Sequence, residues 1–162
     1  MEPILFIVFG AIAVGGAIMV VTRKHPMASA LYLILTLFAV AALFVLRQAH
    51  FLAAIQVIVY AGAIVVLFIF VIMLINVPEN RLPVERATTM RVLGVVAAGL
   101  LILESAVLAR RFGMPKPAGG GEGTVEAVGR ALFTDYLLAF EITSVLLLAA
   151  VIGAITLAKK KI

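Results

Sequence analysis

The chain has 162 residues, of which 65% are hydrophobic and 13% charged, with a mean hydropathy of +1.25. This composition excludes an ordinary water-soluble domain, which is closer to half apolar and a quarter charged, and indicates one membrane domain over residues 1–162. The net charge of +5 does not indicate nucleic acid, because the basic residues collect at the ends of apolar stretches, and the absence of cysteine excludes disulfides and cysteine-held metal or iron–sulfur sites.

Five apolar stretches follow one another, each near or above the length that a helix needs to cross a bilayer. They cover residues 3–21, 28–46, 51–75, 92–109 and 133–158. Helices are the only reasonable choice, because hydrocarbon cannot satisfy free backbone groups and no ten-residue alternation suggests a barrel. The sequence therefore predicts an all-α, multi-pass membrane protein with five transmembrane helices. The first stretch lacks a basic leader, so we expect it to be a retained span rather than a signal peptide.

The connections between the stretches differ in character. Residues 22–26 and 47–50 are expected to be tight turns, whereas residues 76–91 form a longer, proline-containing joint with mixed charges. The fourth connection, residues 110–132, contains the run PKPAGGGEG and is predicted to be a flexible loop outside the membrane. Thr124 is a candidate cap for a short surface helix over residues 124–130.

The distribution of lysine and arginine predicts the orientation of the spans. If the N-terminus faces outward, eight basic residues lie inside and five outside, four of the five in the fourth connection. Cytoplasmic loops carry the excess of Lys and Arg, so the prediction is an outer N-terminus and a cytoplasmic C-terminus. The inner residues are Arg23, Lys24, Arg81, Arg86, Arg91, Lys159, Lys160 and Lys161.

The third stretch, FLAAIQVIVYAGAIVVLFIFVIMLI, carries polar groups inside an uncharged segment that as a helix would be about 37 Å long. Gln56 and Tyr60 are four residues apart, so a regular helix places them on one face. One interpretation is that they are hydrogen-bonding glue between helices, worth about 1 kcal/mol or less. The other is that they line a hydrated proton path. Neither group is charged at neutral pH, so neither can store the proton itself.

Small residues follow Tyr60 directly, in the order Ala61, Gly62 and Ala63. They permit another helix to approach closely, and packing alone is one explanation for them. The same lack of bulk lets a helix absorb an extra residue as a π-bulge, a feature often found at functional sites. Such a bulge would rotate Val65, Val66 and Phe68 relative to Tyr60 and so open or close an apolar gate.

Glu104 and Glu141 are the only acids well inside the predicted spans. Glu104 is about five residues from the predicted end of its span and can be explained by reaching the interface. Glu141 is expected to lie deeper, about eight residues after Phe133, where a carboxylate must be protonated, paired or wet. Both a role in proton movement and plain bonding between helices remain open for Glu141.

No phosphate-binding loop, dinucleotide fingerprint, catalytic triad or metal-ligand set occurs in the sequence, and its two histidines lie at span ends. We therefore expect no catalytic residue, no metal and no bound cofactor in this chain.

At the third span the sequence resembles a known family. The segment FLAAIQVIVYAGAIVVLFIFVIMLIN is similar to the third helix of subunit J of proton-pumping NADH:quinone oxidoreductase, respiratory complex I, whose mitochondrial counterpart is NADH dehydrogenase subunit 6. HPMASALYLILTL and VGRALFTDYLLAFEITSVLLLAAVIGAI resemble the stretch that enters the second span and the segment around the fifth. The resemblance covers nearly the whole chain.

The resemblance implies a membrane-arm subunit without redox groups, beside subunits K, A and H and near antiporter-like subunits, in contact with lipid. NADH, FMN, iron–sulfur clusters and quinone would be bound by other subunits. The family's third helix carries a π-bulge, expected here around Tyr60 to Val66, whose change to a regular helix is linked to wetting a proton path. On this basis the proposed gating residues are Tyr60, Gly62, Val66, Gln56 and Phe68, together with Glu141.

One departure limits what the resemblance implies. Some relatives carry a glutamate where this chain has Gln56, and an amide cannot release a proton near neutral pH, so a titrating role does not transfer to this position. Two alternative functions remain open from the sequence: a subunit of a multi-chain cation/proton antiporter, and a purely structural assembly subunit.

Overall fold

The structure is a computed structural model that describes residues 1–75, 88–112 and 123–159. Every described element is helical. The expectations for the joint before Thr88, for most of the PKPAGGGEG run and for the end of the lysine tail lie outside the described residues. The helices are α1 (Glu2–Thr22), α2 (Pro26–Leu46), α3 (His50–Ile55), a π-helical segment (Gln56–Ile64), α4 (Val65–Ile75), α5 (Thr88–Phe112), α6 (Val125–Phe133) and α7 (Leu137–Ala158).

Within the described residues five helices are long and apolar enough to cross a membrane, which confirms the predicted number of spans. The first two are α1 and α2, and the third runs from His50 to Ile75 through α3, the π segment and α4. The fourth covers Val92–Arg111 and the fifth is α7. The structure contains no membrane, so the predicted orientation of the termini remains a prediction.

Helices α1 and α2 form a closely packed antiparallel pair. The Gly16 backbone lies against Thr36, where a Cβ at position 16 would overlap the Thr36 hydroxyl oxygen. The Ser29 hydroxyl donates to the carbonyl of Val20 across the turn between the helices. Pro26 begins α2, a position where its missing N–H would have no partner within the helix anyway. Small residues therefore set this contact, as is usual where lipid provides no hydrophobic drive between helices.

The third span packs against α2 along its whole length. Its buried residues are Ala53, Gln56, Ala61 and Val65. From Gln56 to Ala61 to Val65 the spacing is five and then four residues, so the buried stripe passes through the π segment before it returns to α-helical spacing. Tyr60, next to the buried Ala61, is itself about half exposed.

The boundaries near the C-terminus differ from the prediction. The expected loop over residues 110–132 is partly helical, because α5 continues to Phe112 and α6 occupies Val125–Phe133. The fifth span begins at Leu137 and not at Phe133, since residues 134–136 form a turn that separates α6 from α7. The Phe133 and Phe140 rings meet edge to face across this turn, with centroids 5.1 Å apart. The polar residues Thr134, Asp135 and Tyr136 mark this break, but the predicted span ran through them from Phe133.

Helices α5 and α7 stand apart from the packed unit of α1, α2 and the third span. None of the spanning residues Val92–Arg111 or Leu137–Ala158 is buried within the chain. Apart from its contact with α6, the fifth span exposes its length to its surroundings. Among the described residues, spans one to three thus pack against one another, whereas spans four and five contain no buried residue.

Candidate functional site

The π segment lies in the first half of the third span and is the main irregularity of the membrane region. At its end the Val65 N–H donates to the Tyr60 carbonyl, five residues back instead of four. The family resemblance placed the bulge around residues 60–66, and the structure places the π segment at Gln56–Ile64. It begins four residues earlier, and Val66 lies beyond it in regular α-helix.

Gln56 and Tyr60 border one pocket of about 380 Å³ between α2, the third span and α6. Gln56 is buried, with only 9% of its surface exposed, whereas Tyr60 is 49% exposed. The i, i+4 argument from the sequence assumed a regular helix and placed both residues on one face; the π spacing gives them unequal burial although both reach the pocket. The pocket is lined by Phe44, Phe51, Leu52, Ile55, Gln56, Tyr60 and Val128.

The other predicted gating residues of the third span are exposed on the chain. Phe68 and Val66 are 48% and 44% exposed, and neither lines the pocket. A Cβ added at Gly62 would lie 3.2 Å from the Val57 carbonyl oxygen, a tight contact within the span itself, and would otherwise face open space. The structure therefore joins Gln56 and Tyr60 in one site and leaves Gly62, Val66 and Phe68 on the outward surface of the span.

The two carboxylates differ from the prediction in their distance from the helix ends. Because α7 begins at Leu137, Glu141 is four residues from the start of its helix, about 6 Å along the axis. Glu104 is eight residues from the end of α5 at Phe112, about 12 Å. Both side chains are exposed on the chain, and neither lines the pocket. The expectation that Glu141 is the deeper carboxylate is wrong with respect to its helix end, and the structure does not bring it to Gln56 and Tyr60.

A contact that joins the start of the third span to the residues before α6 could not be predicted from the sequence. The Phe51 N–H donates to the Gly123 carbonyl at 3.3 Å, and the Gly123 N–H donates to the Gln48 carbonyl at 3.1 Å. Next to it Thr124 caps α6, accepting from the Ala127 N–H at 3.2 Å, which confirms the predicted capping role. One wall of the pocket, at Val128, is attached to the third span in this way.

The part of the chain that the structure describes contains no group of three or more His, Asp or Glu side chains able to hold a metal ion. The chemistry available at the pocket is that of an amide, a phenol and apolar walls. Such a site can order water and regulate access to it, but its side chains cannot carry an electron or a hydride.

Comparison with known proteins connects this arrangement to a family. A sequence profile of the family described as NADH-ubiquinone/plastoquinone oxidoreductase chain 6 matches residues 16–157. The match includes the second, third and fourth spans completely, the fifth up to its last residue but one, the π segment, the pocket and α6.

Individual relatives are similar over almost the whole chain. NADH-quinone oxidoreductase subunit J of Pseudomonas aeruginosa is 40% identical over 155 residues, covering 92% of each protein. NAD(P)H-quinone oxidoreductase subunit 6 of the Paulinella chromatophora organellar chromatophore is 40% identical over 161 residues, covering 98% of this chain and 78% of the relative. Subunit J of Escherichia coli is 36% identical over 152 residues, covering 92% of this chain and 82% of the relative.

Proposed function

Because the chain belongs to the NADH-ubiquinone/plastoquinone oxidoreductase chain 6 family, as a membrane subunit of an NADH-quinone oxidoreductase, we propose that it helps couple quinone reduction to proton translocation by switching the π segment of its third span. The observation that supports this proposal is the five-residue hydrogen-bond spacing between Val65 and Tyr60, beside a pocket that holds Gln56 and Tyr60. A break of this kind at membrane depth is a common mark of a functional site.

The switch changes which residue meets α2. When the segment becomes regular, the Val65 N–H bonds to Ala61 in place of Tyr60, and everything beyond turns by about 100°, one residue of a 3.6-residue turn. Val65, which is only 3% exposed in the π form, then turns away from α2. Residues on the outward side, such as Val66 and Phe68, rotate with it. Apolar side chains then move toward or away from the polar groups at the pocket, which alters access of water to them.

Within the assembly the chain acts without a redox centre of its own. NADH, FMN, iron–sulfur clusters and quinone are held by other subunits, and the neighbours are subunits K, A and H and the antiporter-like subunits of a bacterial plasma membrane. Gln56 orders water at the pocket and does not titrate. Glu141 and Glu104, each exposed on the isolated chain, meet partners or water at the subunit boundary, because a carboxylate facing lipid would be costly.

The proposal is tested by replacing Tyr60 with phenylalanine in the complete oxidoreductase. Removal of the hydroxyl that would hold a water at the pocket, a hydrogen bond worth about 1 kcal/mol, should reduce the protons translocated per NADH oxidised by about fivefold and leave assembly intact. The measurement is protons translocated per NADH oxidised in proteoliposomes. Tyr136→Phe is the matched control, since Tyr136 precedes the fifth span and does not line the pocket.

The same experiment separates the alternatives. Unchanged pumping in Tyr60→Phe, with normal amounts of assembled complex, would contradict the switch. A loss of assembly without a change in protons per NADH would support a purely structural subunit. Family membership favours the oxidoreductase over a cation/proton antiporter, and dependence of the pumped protons on NADH and quinone distinguishes the two directly.

A further inference from the structure

The start of the third span lacks the usual means of capping a helix. The residue before α3 is Ala49, and no side chain there bonds the first free N–H groups. Helices normally satisfy these donors with a Ser, Thr, Asp or Asn at this position. Here the Gly123 carbonyl accepts from the Phe51 N–H, so a residue from the fourth connection supplies the cap.

The turn at residues 47–49 provides the acceptor for a second hydrogen bond with Gly123, the Gln48 carbonyl. Gln48 has φ of 59°, in the left-handed region that favours glycine. The Ala49 N–H returns to the Phe44 carbonyl and the Gln48 N–H to the Val45 carbonyl, the pattern of a Schellman motif. The Gln48 carbonyl, free of α2, accepts from the Gly123 N–H.

Only a residue without a side chain fits at position 123. A Cβ there would lie 2.8 Å from the Ala49 Cα and 3.1 Å from its Cβ. The nearer atom is backbone and cannot turn aside as the end of a flexible side chain would. Any other residue at position 123 must therefore move the backbone there away from Ala49, and this backbone leads directly into Thr124 and α6.

We propose that Gly123 is a positioning residue: its paired backbone holds α6 as a wall of the Gln56–Tyr60 pocket and keeps water at the membrane surface from entering it. This inference rests on the proposed function, in which water at the Gln56–Tyr60 pocket is part of the proton path. Val128 is the α6 residue in the wall, three positions into the helix that Thr124 caps. Release of the contact moves Val128 and opens the pocket at the end of the membrane where the third span begins.

The test uses Gly123→Ala in the complete oxidoreductase, with Gly129→Ala as the matched control. Gly129 lies on α6 itself, and a Cβ there would meet nothing within 4 Å. Hydrogen exchange of the Phe51 amide should become about fivefold to tenfold faster in Gly123→Ala, the factor expected for one lost backbone hydrogen bond. Passive proton permeability of the proteoliposomes, without NADH, should rise by about twofold or more. Gly129→Ala should change neither.

Val128→Ser provides a second route that keeps both backbone bonds. A hydroxyl in the wall should raise the passive proton permeability while exchange at Phe51 stays as in the parent, and this holds even if Gly123→Ala fails to assemble. Val125→Ser is its control, because Val125 is 58% exposed and outside the pocket. Unchanged exchange in Gly123→Ala would overturn the cap. Unchanged permeability in Val128→Ser, or in a Gly123→Ala complex with fast exchange, would overturn the wall.

These outcomes differ from a failure of the switch. Tyr60→Phe reports protons per NADH during turnover, whereas Gly123→Ala and Val128→Ser report permeability at rest. A normal Tyr60→Phe complex together with a permeable Gly123→Ala complex refutes the π switch and leaves the positioning role of Gly123 in place. Fewer protons per NADH in Tyr60→Phe, together with unchanged passive permeability in Gly123→Ala, supports the π switch and refutes the positioning role of Gly123.

Discussion

At the scale of single residues, the site depends on which side chains are absent as much as on those present. Gly62 leaves the outward surface of the π segment without a side chain at that position. Gly123 allows its backbone to pair with the backbone of residues 48–51 at a distance that a methyl group would prevent. Gln56 is the buried polar residue of the third span, yet its amide has no charge to lose. The chemistry that remains is ordering of water beside the Tyr60 phenol.

Substitutions at Gly62 distinguish the chain's own geometry from that of the assembly. Gly62→Ala adds one tight contact, 3.2 Å from the Val57 carbonyl oxygen, and should cost less than about 1 kcal/mol. Gly62→Leu extends outward, so the isolated chain should still fold, while the assembled oxidoreductase should lose most of its activity, as overpacking costs about 1–3 kcal/mol. Quinone reductase activity and yield of intact complex are the measurements. Normal turnover with Leu at this position would refute close packing here.

Some residue roles could be predicted from the sequence and others could not. The capping role of Thr124 is local, because a hydroxyl before a helix bonds an N–H three residues on. The left-handed conformation of Gln48 could not be predicted from the sequence, because glycine or asparagine is the usual residue at such a position. The pairing of Gly123 joins residues far apart in the chain, and a Pro/Gly-rich run indicates only a loop.

At the scale of elements, the five spans followed directly from apolar length, but their ends did not. The predicted fifth span began at Phe133, so the turn at residues 134–136 and the start of α7 at Leu137 were missed, although Thr134, Asp135 and Tyr136 are polar. The small residues after Tyr60 permitted a π segment, and only the family resemblance favoured it over plain packing. Its bounds depend on how the third span packs on α2, which composition does not report.

The α1–α2 pair offers a test of element packing with a built-in control. Gly16→Val should force the helices apart, because even a Cβ would overlap Thr36, and should cost about 1–3 kcal/mol. Gly15→Val adds the same bulk one residue earlier, where a Cβ meets nothing within 4 Å. The free energy of unfolding in SDS titrations of the purified chain is the measurement. Equal effects of the two substitutions would contradict the packing described.

At the scale of the whole molecule, the chain divides into a packed unit and two helices that face outward. Spans one to three bury residues against one another, whereas the described residues of spans four and five bury none. Lipid tails are as apolar as leucine, so nothing within the chain draws these spans together. Membership in a multisubunit oxidoreductase gives the expectation that other subunits cover them.

Labelling with a membrane-soluble carbene reagent checks this division. In the isolated chain, residues 92–111 and 137–158 should be labelled along their length, while buried positions of α2 such as Ala39 should not. In the assembled oxidoreductase we expect labelling of both spans to fall by about half or more, because a helix at a subunit boundary exposes one face at most. Equal labelling in both states would mean that the two spans remain in lipid.

The contact between Gly123 and Phe51 also has a consequence for biogenesis. Gly123 follows Phe51 by 72 residues, so the ribosome releases the third span long before its first amide can be capped. Until then the newly inserted hairpin presents an unsatisfied donor at the bilayer surface. A residue in the last third of the chain thus completes a helix that begins in the first third, and a nascent chain arrested before Gly123 would lack this cap as well as its fifth span.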